Sequence, residues 1–389
     1  MATNLSNAKN AKNDEFYTQY QDIEKEVNAY LEYDPNVFRG KTVLLPCDDP
    51  EWSNFTKYFA QNFKTFGLKK LISTSYAVES KKYKFGYQPT LFETEAPQFD
   101  KKKTRTNGKI FILTNGRTKV NVTDLKWDYL EGDGDFRSQE VINLRNEADI
   151  IVTNPPFSLF REFLVWIVNA EKDFLIIGNK NAITYKEVFP LIKENKVWAG
   201  VTSFNKDMLF IPIEDISQSD KPKTATRVVD GKTFLRSPSI WLTNLDHGRR
   251  HQPLSLMPMQ DNLKFSRHKE IKGKGYIKYE NYDAIEVPYT DAIPSDHDGI
   301  MGVPISFLDK YCPEQFEILG TSDNGTIAEK YKTTQGLTQK FVDDYYKAGG
   351  KGAYKEGNPT AGAYIDGIAT MIYKRIFIRR KRGKKWKQN

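Results

Sequence analysis

"IVTNPPF", residues Ile151–Phe157, decides how this chain is read. A run of β-branched residues stops at an Asn, two prolines and a Phe. Proline lacks the N–H that a strand ladder or a helix interior requires, so the chain must leave a sheet here in a rigid turn. Just upstream, "ADIIVTN" is a short unbroken apolar run, the pattern of a strand buried on both faces. Downstream, "SLFREFLVWIVNAEK" sets Leu159, Phe160, Phe163, Leu164, Ile167 and Val168 on one helical face. A second apolar run, "DFLIIGN" (Asp173–Asn179), follows.

The same rhythm extends toward the N-terminus. "KTVLLPC" (Lys41–Cys47) and "KKLISTSY" (Lys69–Tyr76) read as strands, with the helical "WSNFTKYFAQNF" between them. Glu15–Tyr33 reads as a helix through Ile23, Val27, Tyr30 and Leu31. Strands alternating with helices predict an α/β fold with a doubly wound, mostly parallel sheet. "KVWAGVTSF", "DMLFIP" and "SIWLTNL" follow more closely, so the sheet is expected to end in an antiparallel pair. Residues 79–118 read as a Lys-rich insertion, with "KIFILTN" a hairpin strand inside it. Near residue 250 the strand–helix rhythm stops. Two domains are therefore expected, 1–250 and 251–389, the second containing a flexible Gly-rich loop at "KAGGKGAYKEGNPTAGAY".

Composition excludes several classes. The chain has 389 residues, 39% of them hydrophobic, enough for one large core and a smaller second one. A net charge of +8 favours a polyanionic partner. Two cysteines, Cys47 and Cys312, and four histidines give neither a metal-ligand spacing nor a disulfide framework. No metal is expected, and a reducing cytoplasm is. No apolar run has the length of a membrane span, and "MATNLSNAKNAKND" lacks the apolar core of a secretory signal. "GKT" occurs twice, but Pro35 and Thr226 stand where a phosphate loop needs its first Gly. "GDGDFR" has Arg137 in place of the third Gly of a dinucleotide fingerprint.

The turn itself carries chemistry. In a doubly wound sheet, ligands bind beyond the carboxyl ends of the strands. The side-chain oxygen of Asn154 and the carbonyl of Pro155 are both acceptors, and the prolines fix their direction. Two acceptors held together can receive both hydrogens of one amino group, and Phe157 can lie against an aromatic ring. This set fits an adenine amine. With both hydrogens accepted, its nitrogen gains electron density and can attack an electrophilic methyl group. The blander reading is a turn that merely ends a strand.

Several segments, in order, resemble the adenine-specific DNA methyltransferases of the EcoRI type. They are "NDEFYTQ" (Asn13–Gln19), "LLPCDDPEWSNF" (Leu44–Phe55), "GLKKLISTSY" (Gly67–Tyr76), "EGDGDFRS" (Glu131–Ser138), "DIIVTNPPFSLFREFL" (Asp149–Leu164), "FLIIGNKNAIT" (Phe174–Thr184), "WLTNLDHGRR" (Trp241–Arg250) and "GVPISFLDKYCPEQFEILG" (Gly302–Gly320). The resemblance implies a Rossmann-like class I fold that uses S-adenosyl-L-methionine to methylate N6 of a flipped adenine in double-stranded DNA. It makes Asn154, Pro155, Pro156 and Phe157 catalytic. It assigns the cofactor to Tyr17, Thr18, Cys47, Asp48, Asp49, Asp135 and Phe136, with the choice between Asp48 and Asp49 open. The usual Gly-rich turn after the first strand is missing, and no acid ends "LISTSY" to hold a ribose. The resemblance also implies a C-terminal target-recognition region, a monomer in a bacterial or phage-infected cytoplasm, and a cognate restriction endonuclease encoded nearby. Arg249 and Arg250 of "HGRRHQ", and Arg379 and Arg380 of "YKRIFIRR", are the expected DNA contacts. The last two lie within a stretch with nine Lys or Arg between Lys374 and Lys387, for which a solvated tail is the other reading. An RNA adenine methyltransferase and a catalytically silent DNA binder are the alternatives.

Overall fold

The computed structural model describes residues 17–77, 94–114, 126–211, 226–280, 282–322, 337–358 and 361–381. The chain divides into two compact units, Met1–Gly248 and Arg249–Asn389.

The first unit opens with β1 (Tyr17–Thr18) and α1 (Tyr20–Tyr33). Then come β2 (Thr42–Leu45), α2 (Asn54–Gln61), β3 (Lys70–Thr74), β4 (Lys109–Thr114), β5 (Trp127–Tyr129), α3 (Gln139–Glu147), β6 (Ile150–Thr153), α4 (Phe160–Val168) and β7 (Asp173–Asn179). It closes with β8 (Trp198–Ala199), β9 (Met208–Ile211), β10 (Thr226–Val229), β11 (Lys232–Ser237) and β12 (Ser239–Thr243). Eight strands form one sheet in the order β5-β4-β3-β2-β6-β7-β12-β8. β3, β2, β6 and β7 are mutually parallel; β4 and β12 run against their neighbours. Six of the eight strands therefore point one way, as the strand–helix rhythm requires.

Local chemistry explains these elements. Every residue of β2 and of β6 is buried, which is why both read as unbroken apolar runs. α2 starts at Ser53, whose hydroxyl accepts from the Phe55 amide at 3.0 Å. α4 buries Phe160, Phe163, Leu164 and Ile167. Each full burial of such a side chain stabilises by about 1.5–3 kcal/mol. Phe160 lies so close to β7 that a Cβ on Gly178 would stand 2.6 Å from its ring, so only glycine fits there.

The winding fixes where a ligand can sit. From β2 the chain crosses through α2 to β3 on one side. From β6 it crosses through α4 to β7 on the other. β2 and β6 are neighbours, so the loops leaving their carboxyl ends part between them and open a crevice.

Three expectations need correction. α1 begins at Tyr20 rather than Glu15, because Tyr17–Thr18 is drawn into an antiparallel pairing with β9. "DMLFIP" does not end the main sheet; β9 belongs to a second sheet of order β1-β9-β11-β10. Lys109–Thr114 is no hairpin within an insertion but β4 of the main sheet, with Phe111 and Leu113 in the core. Much of the rest of that Lys-rich stretch lies outside the described residues.

The second unit contains α5 (Met259–Phe265), β13 (Ala284–Glu286), β14 (Ile300–Pro304), β15 (Phe316–Thr321), α6 (Gln339–Lys347), β16 (Ala361–Ile365), β17 (Ile368–Ile372) and β18 (Arg375–Arg380). Its sheet has the order β13-β14-β18-β15, and β16 and β17 form a hairpin. β18, within "YKRIFIRR", is a strand without an open basic face. It lies between β14 and β15, so Ile376, Phe377 and Ile378 are buried in succession. The Gly-rich stretch is also better held than its composition suggests. The Tyr345 hydroxyl donates to the Lys351 carbonyl at 3.0 Å, and the Tyr346 hydroxyl donates to the Gly352 carbonyl at 2.9 Å. No helix among the described residues is long and apolar enough to cross a membrane.

Candidate active site at the switch point of the sheet

Asn154 leaves β6 at the crevice between β2 and β6. Pro155 is buried, and Asn154, Pro156 and Phe157 are half-buried. Phe157 opens a short 3-10 turn that leads into α4. Its ring meets Phe210 edge to face, with centroids 6.4 Å apart. Phe210 in turn is the register partner of Thr18 across the β1–β9 pair. The expected N-terminal motif thus comes to the same place as the Asn-Pro-Pro-Phe turn.

A second link ties that motif to the loop after β2. The Asn54 side-chain amide, at the start of α2, donates to the Thr18 carbonyl at 2.8 Å. The Thr18 hydroxyl is itself buried and has no hydrogen-bond partner among the described residues. A buried hydroxyl left in that state is one that a ligand can satisfy.

The two aspartates after β2 have different tasks. Asp48 is 5% exposed. One carboxylate oxygen accepts from the Ser53 hydroxyl and the other from the Thr153 hydroxyl, each at 2.6 Å. The Asp48 carbonyl also accepts from Ser73 at the end of β3, and its amide donates to the Thr74 carbonyl at 2.9 Å. Asp48 therefore locks three strand ends together, and Thr153 is the residue just before Asn154. Asp49 is half-buried, and among the described residues its carboxylate accepts through Oδ1 alone, from the Glu51 amide at 2.9 Å. Cys47 is half-buried beside them and forms no disulfide.

Asp135 lies in a turn packed on the end of β3. Gly134, at φ +79°, brings that turn so close that a Cβ would stand 2.2 Å from the Ser75 carbonyl oxygen. Arg137 grips the Asp135 carboxylate with Nε at 2.9 Å and a terminal nitrogen at 2.7 Å. This hydrogen bonding holds the carboxyl below its usual range. Phe136 is a core residue, 5% exposed and edge-on to Phe163 and Trp166 of α4.

The four expected DNA contacts all belong to the second unit. Arg249 pairs with the buried Asp309 at 2.9 Å. Arg250 and Arg380 are half-buried, each with its Nε shielded from solvent. Arg379 pairs with Glu317. The tail beyond Lys381 lies outside the described residues.

Sequence reasoning passed over Ser53 and Thr153. Ser53 carried a signal as the residue capping "NFTKYF"; Thr153 carried none beyond the β-branching it shares with Val152. A separate recess of about 700 Å³ lies beside β9, lined by Gln19, Asp22, Lys206, Asp207, Leu209 and Arg236. It does not include the Asn154 turn. No cluster of metal-ligating residues occurs among the described residues.

Residues 4–381 match the family described as "Adenine-specific methyltransferase EcoRI". The type II methyltransferase M.EcoRI of Escherichia coli is 45% identical over 322 residues, covering 82% of this chain and 89% of that protein. M.MpnI of Mycoplasma pneumoniae is 34% identical over 345 residues, covering 88% and 92%. M.MgeORF184P of Mycoplasma genitalium is 36% identical over 341 residues, covering 87% and 91%. Both are also type II methyltransferases. No solved structure matches the chain. With a family match from end to end of a fold whose winding opens at the Asn154 turn, the chain belongs to the EcoRI family of adenine-specific methyltransferases.

Proposed function

We propose that this enzyme methylates N6 of a flipped adenine at a specific site in double-stranded DNA, with S-adenosyl-L-methionine as donor. The observation that carries the reading is the crevice between β2 and β6, where Thr153 delivers Asn154 under the hold of Asp48. The cofactor supplies an electrophilic methyl group. The chain's residues do the rest. Asn154 and the Pro155 carbonyl accept the two hydrogens of the target amine, and their dipoles are set before the base arrives. Phe157 packs against the extruded base, which offsets part of the few kcal/mol of unstacking. The proton displaced from nitrogen leaves through these acceptors toward solvent.

The residues present fit the cofactor. Thr18 offers a buried hydroxyl without a partner among the described residues, and Asp49 keeps Oδ2 for a donor. Asp48 is spent on Ser53 and Thr153, so in this reading Asp49 faces the cofactor and Asp48 positions the turn. Tyr17, Cys47, Asp135 and Phe136 complete the surroundings, Phe136 from beneath the site. Arg249, Arg250, Arg379 and Arg380 support the DNA-facing side of the second unit, which recognises the target sequence. The enzyme acts in the cytoplasm as a monomer, beside a cognate restriction endonuclease.

The test is transfer of labelled methyl to unmethylated duplex DNA, with N6-methyladenine as the product scored. Asn154→Ala should lower kcat by about 10²–10³-fold, the size expected for one preorganised polar group, and leave cofactor affinity in place. Asp48→Asn should lower kcat with Asn154 present, and add little once Asn154 is gone. Wild type that labels RNA but not DNA would sink the reading. Equal rates for wild type and Asn154→Ala would sink the role of the turn.

A further inference from the structure

The segment Lys264–Lys278, "KFSRHKEIKGKGYIK", is the last two residues of α5 and the folded basic loop after it. Its underside is pinned. The His268 ring stacks on Tyr289 at 3.6 Å with planes 5° apart, and Nε2 is 2.8 Å from Asp291. Arg267 meets the other oxygen of Asp291 at 2.8 Å. The Tyr276 hydroxyl donates to the Ala292 carbonyl at 2.5 Å, and the Gly273 amide donates to the Leu263 carbonyl at 3.0 Å. Ser266 and Ile271 are buried below.

The outer side is a different surface. Lys264, Arg267, Lys269, Lys272, Lys274 and Lys278 are all exposed, against one carboxylate in the loop, Glu270. Lys264, Lys269, Lys272 and Lys274 have no carboxylate partner among the described residues. Among them stands Phe265, 69% exposed. Single exposed apolar side chains are common on surfaces, and what sets Phe265 apart is the exposed cations around it in sequence. Cations around an open aromatic ring match phosphates around stacked bases. A membrane surface also attracts such residues, but it requires an amphipathic helix with an apolar face. α5 has seven residues, and the one it buries is the polar Asn262.

We propose that the Lys264–Lys278 loop is a contact surface for duplex DNA, with Lys272 and Lys274 on the phosphates and Phe265 against the base or sugar edges. The inference rests on the DNA reading above and assigns that partner to a pinned element of the second unit. Because the loop is anchored through Arg267, His268 and Tyr276, the residues Phe265, Lys272 and Lys274 can be changed without undoing it.

The experiment measures binding of the full-length protein to a methylatable duplex across a salt series, together with S-adenosylmethionine binding as the control for folding. Phe265→Ala should weaken duplex binding about tenfold, the loss expected of one aromatic contact. Lys272→Ala/Lys274→Ala should reduce the slope of log affinity against log salt by about two, one for each phosphate released. Cofactor binding should stay at the wild-type level in both. Wild-type duplex affinity and salt slope in both variants would overturn the proposal. So would variants that lose binding only to phosphatidylserine vesicles, or only to RNA. Wild type that fails to methylate DNA would instead overturn the proposed function, which separates the two failures.

Discussion

The strand Arg375–Arg380 and the loop Lys264–Lys278 are both dense in cations, yet they use them in opposite ways. In β18 the charges close the structure. Arg375 grips Glu286 with two nitrogens at 2.6 and 3.0 Å, and both side chains are nearly buried, at 11% and 12% exposure. Arg379 pairs with Glu317 at the strand's rim. In the loop, Asp291 holds the exposed Arg267 and the His268 beneath it, and Lys264, Lys269, Lys272 and Lys274 have no carboxylate partner among the described residues. Cationic density alone therefore does not mark a nucleic-acid surface. What matters is whether the fold brings a carboxylate from another strand, and that carboxylate is distant in sequence: Glu286 is 89 residues from Arg375.

The contrast can be broken most directly at Arg375. Arg375→Ala leaves Glu286 with an unbalanced buried charge and should cost about 3–5 kcal/mol, read as a lower urea midpoint of the full chain. A loss below 1 kcal/mol would place β18 with the loop rather than against it. Arg379→Ala should cost at most about 1 kcal/mol, because that pair is 40% and 36% exposed. The Lys272→Ala/Lys274→Ala variant should fall within about 0.5 kcal/mol of wild type, so that its entire effect appears in DNA binding. The smallest effect concerns pH. Burial pushes the Asp291 carboxyl up, but its hydrogen bond and charge contact with His268, aided by Arg267, hold it below the usual range. A depressed carboxyl contributes stability above its unfolded value, about 3.9, and loses it as pH falls through the folded value. Asp291→Asn should therefore melt lower than wild type at neutral pH, and the gap should narrow as the pH drops below about 4.

Much of the fold was legible because its central strands are short and buried on both faces. Ile150–Thr153 and Asp173–Asn179 could only be core strands, and two prolines could only end one of them. The position of the turn at Asn154 was legible for the same reason, since two prolines cannot continue a strand. What escaped was set by tertiary partners. Lys109–Thr114 sits among polar residues and reads as peripheral until β3 pairs with it. Tyr17–Thr18 is extended because β9 offers an edge, and a two-residue strand has no period of its own. The different duties of Asp48 and Asp49 were illegible as well. They are adjacent in sequence, and only the hydroxyls of Ser53 and Thr153 tell them apart.

The early residues of this chain wait for late ones. Gln19 donates to the Leu209 carbonyl, 190 residues on, and Thr18 takes its strand partner at Phe210. Glu26, fully buried, accepts from the amides of Val201 and Thr202 and from the Thr202 hydroxyl. A ribosome adding about 5–20 residues per second needs on the order of ten to forty seconds to span that distance. During that interval the parallel strands β2, β3, β6 and β7 can assemble while β1 has no edge to join and Glu26 stays hydrated. The edge that takes up Thr18 beside the Phe157 turn is therefore made only after the four parallel strands, so the nascent chain has the centre of its sheet before it has that wall.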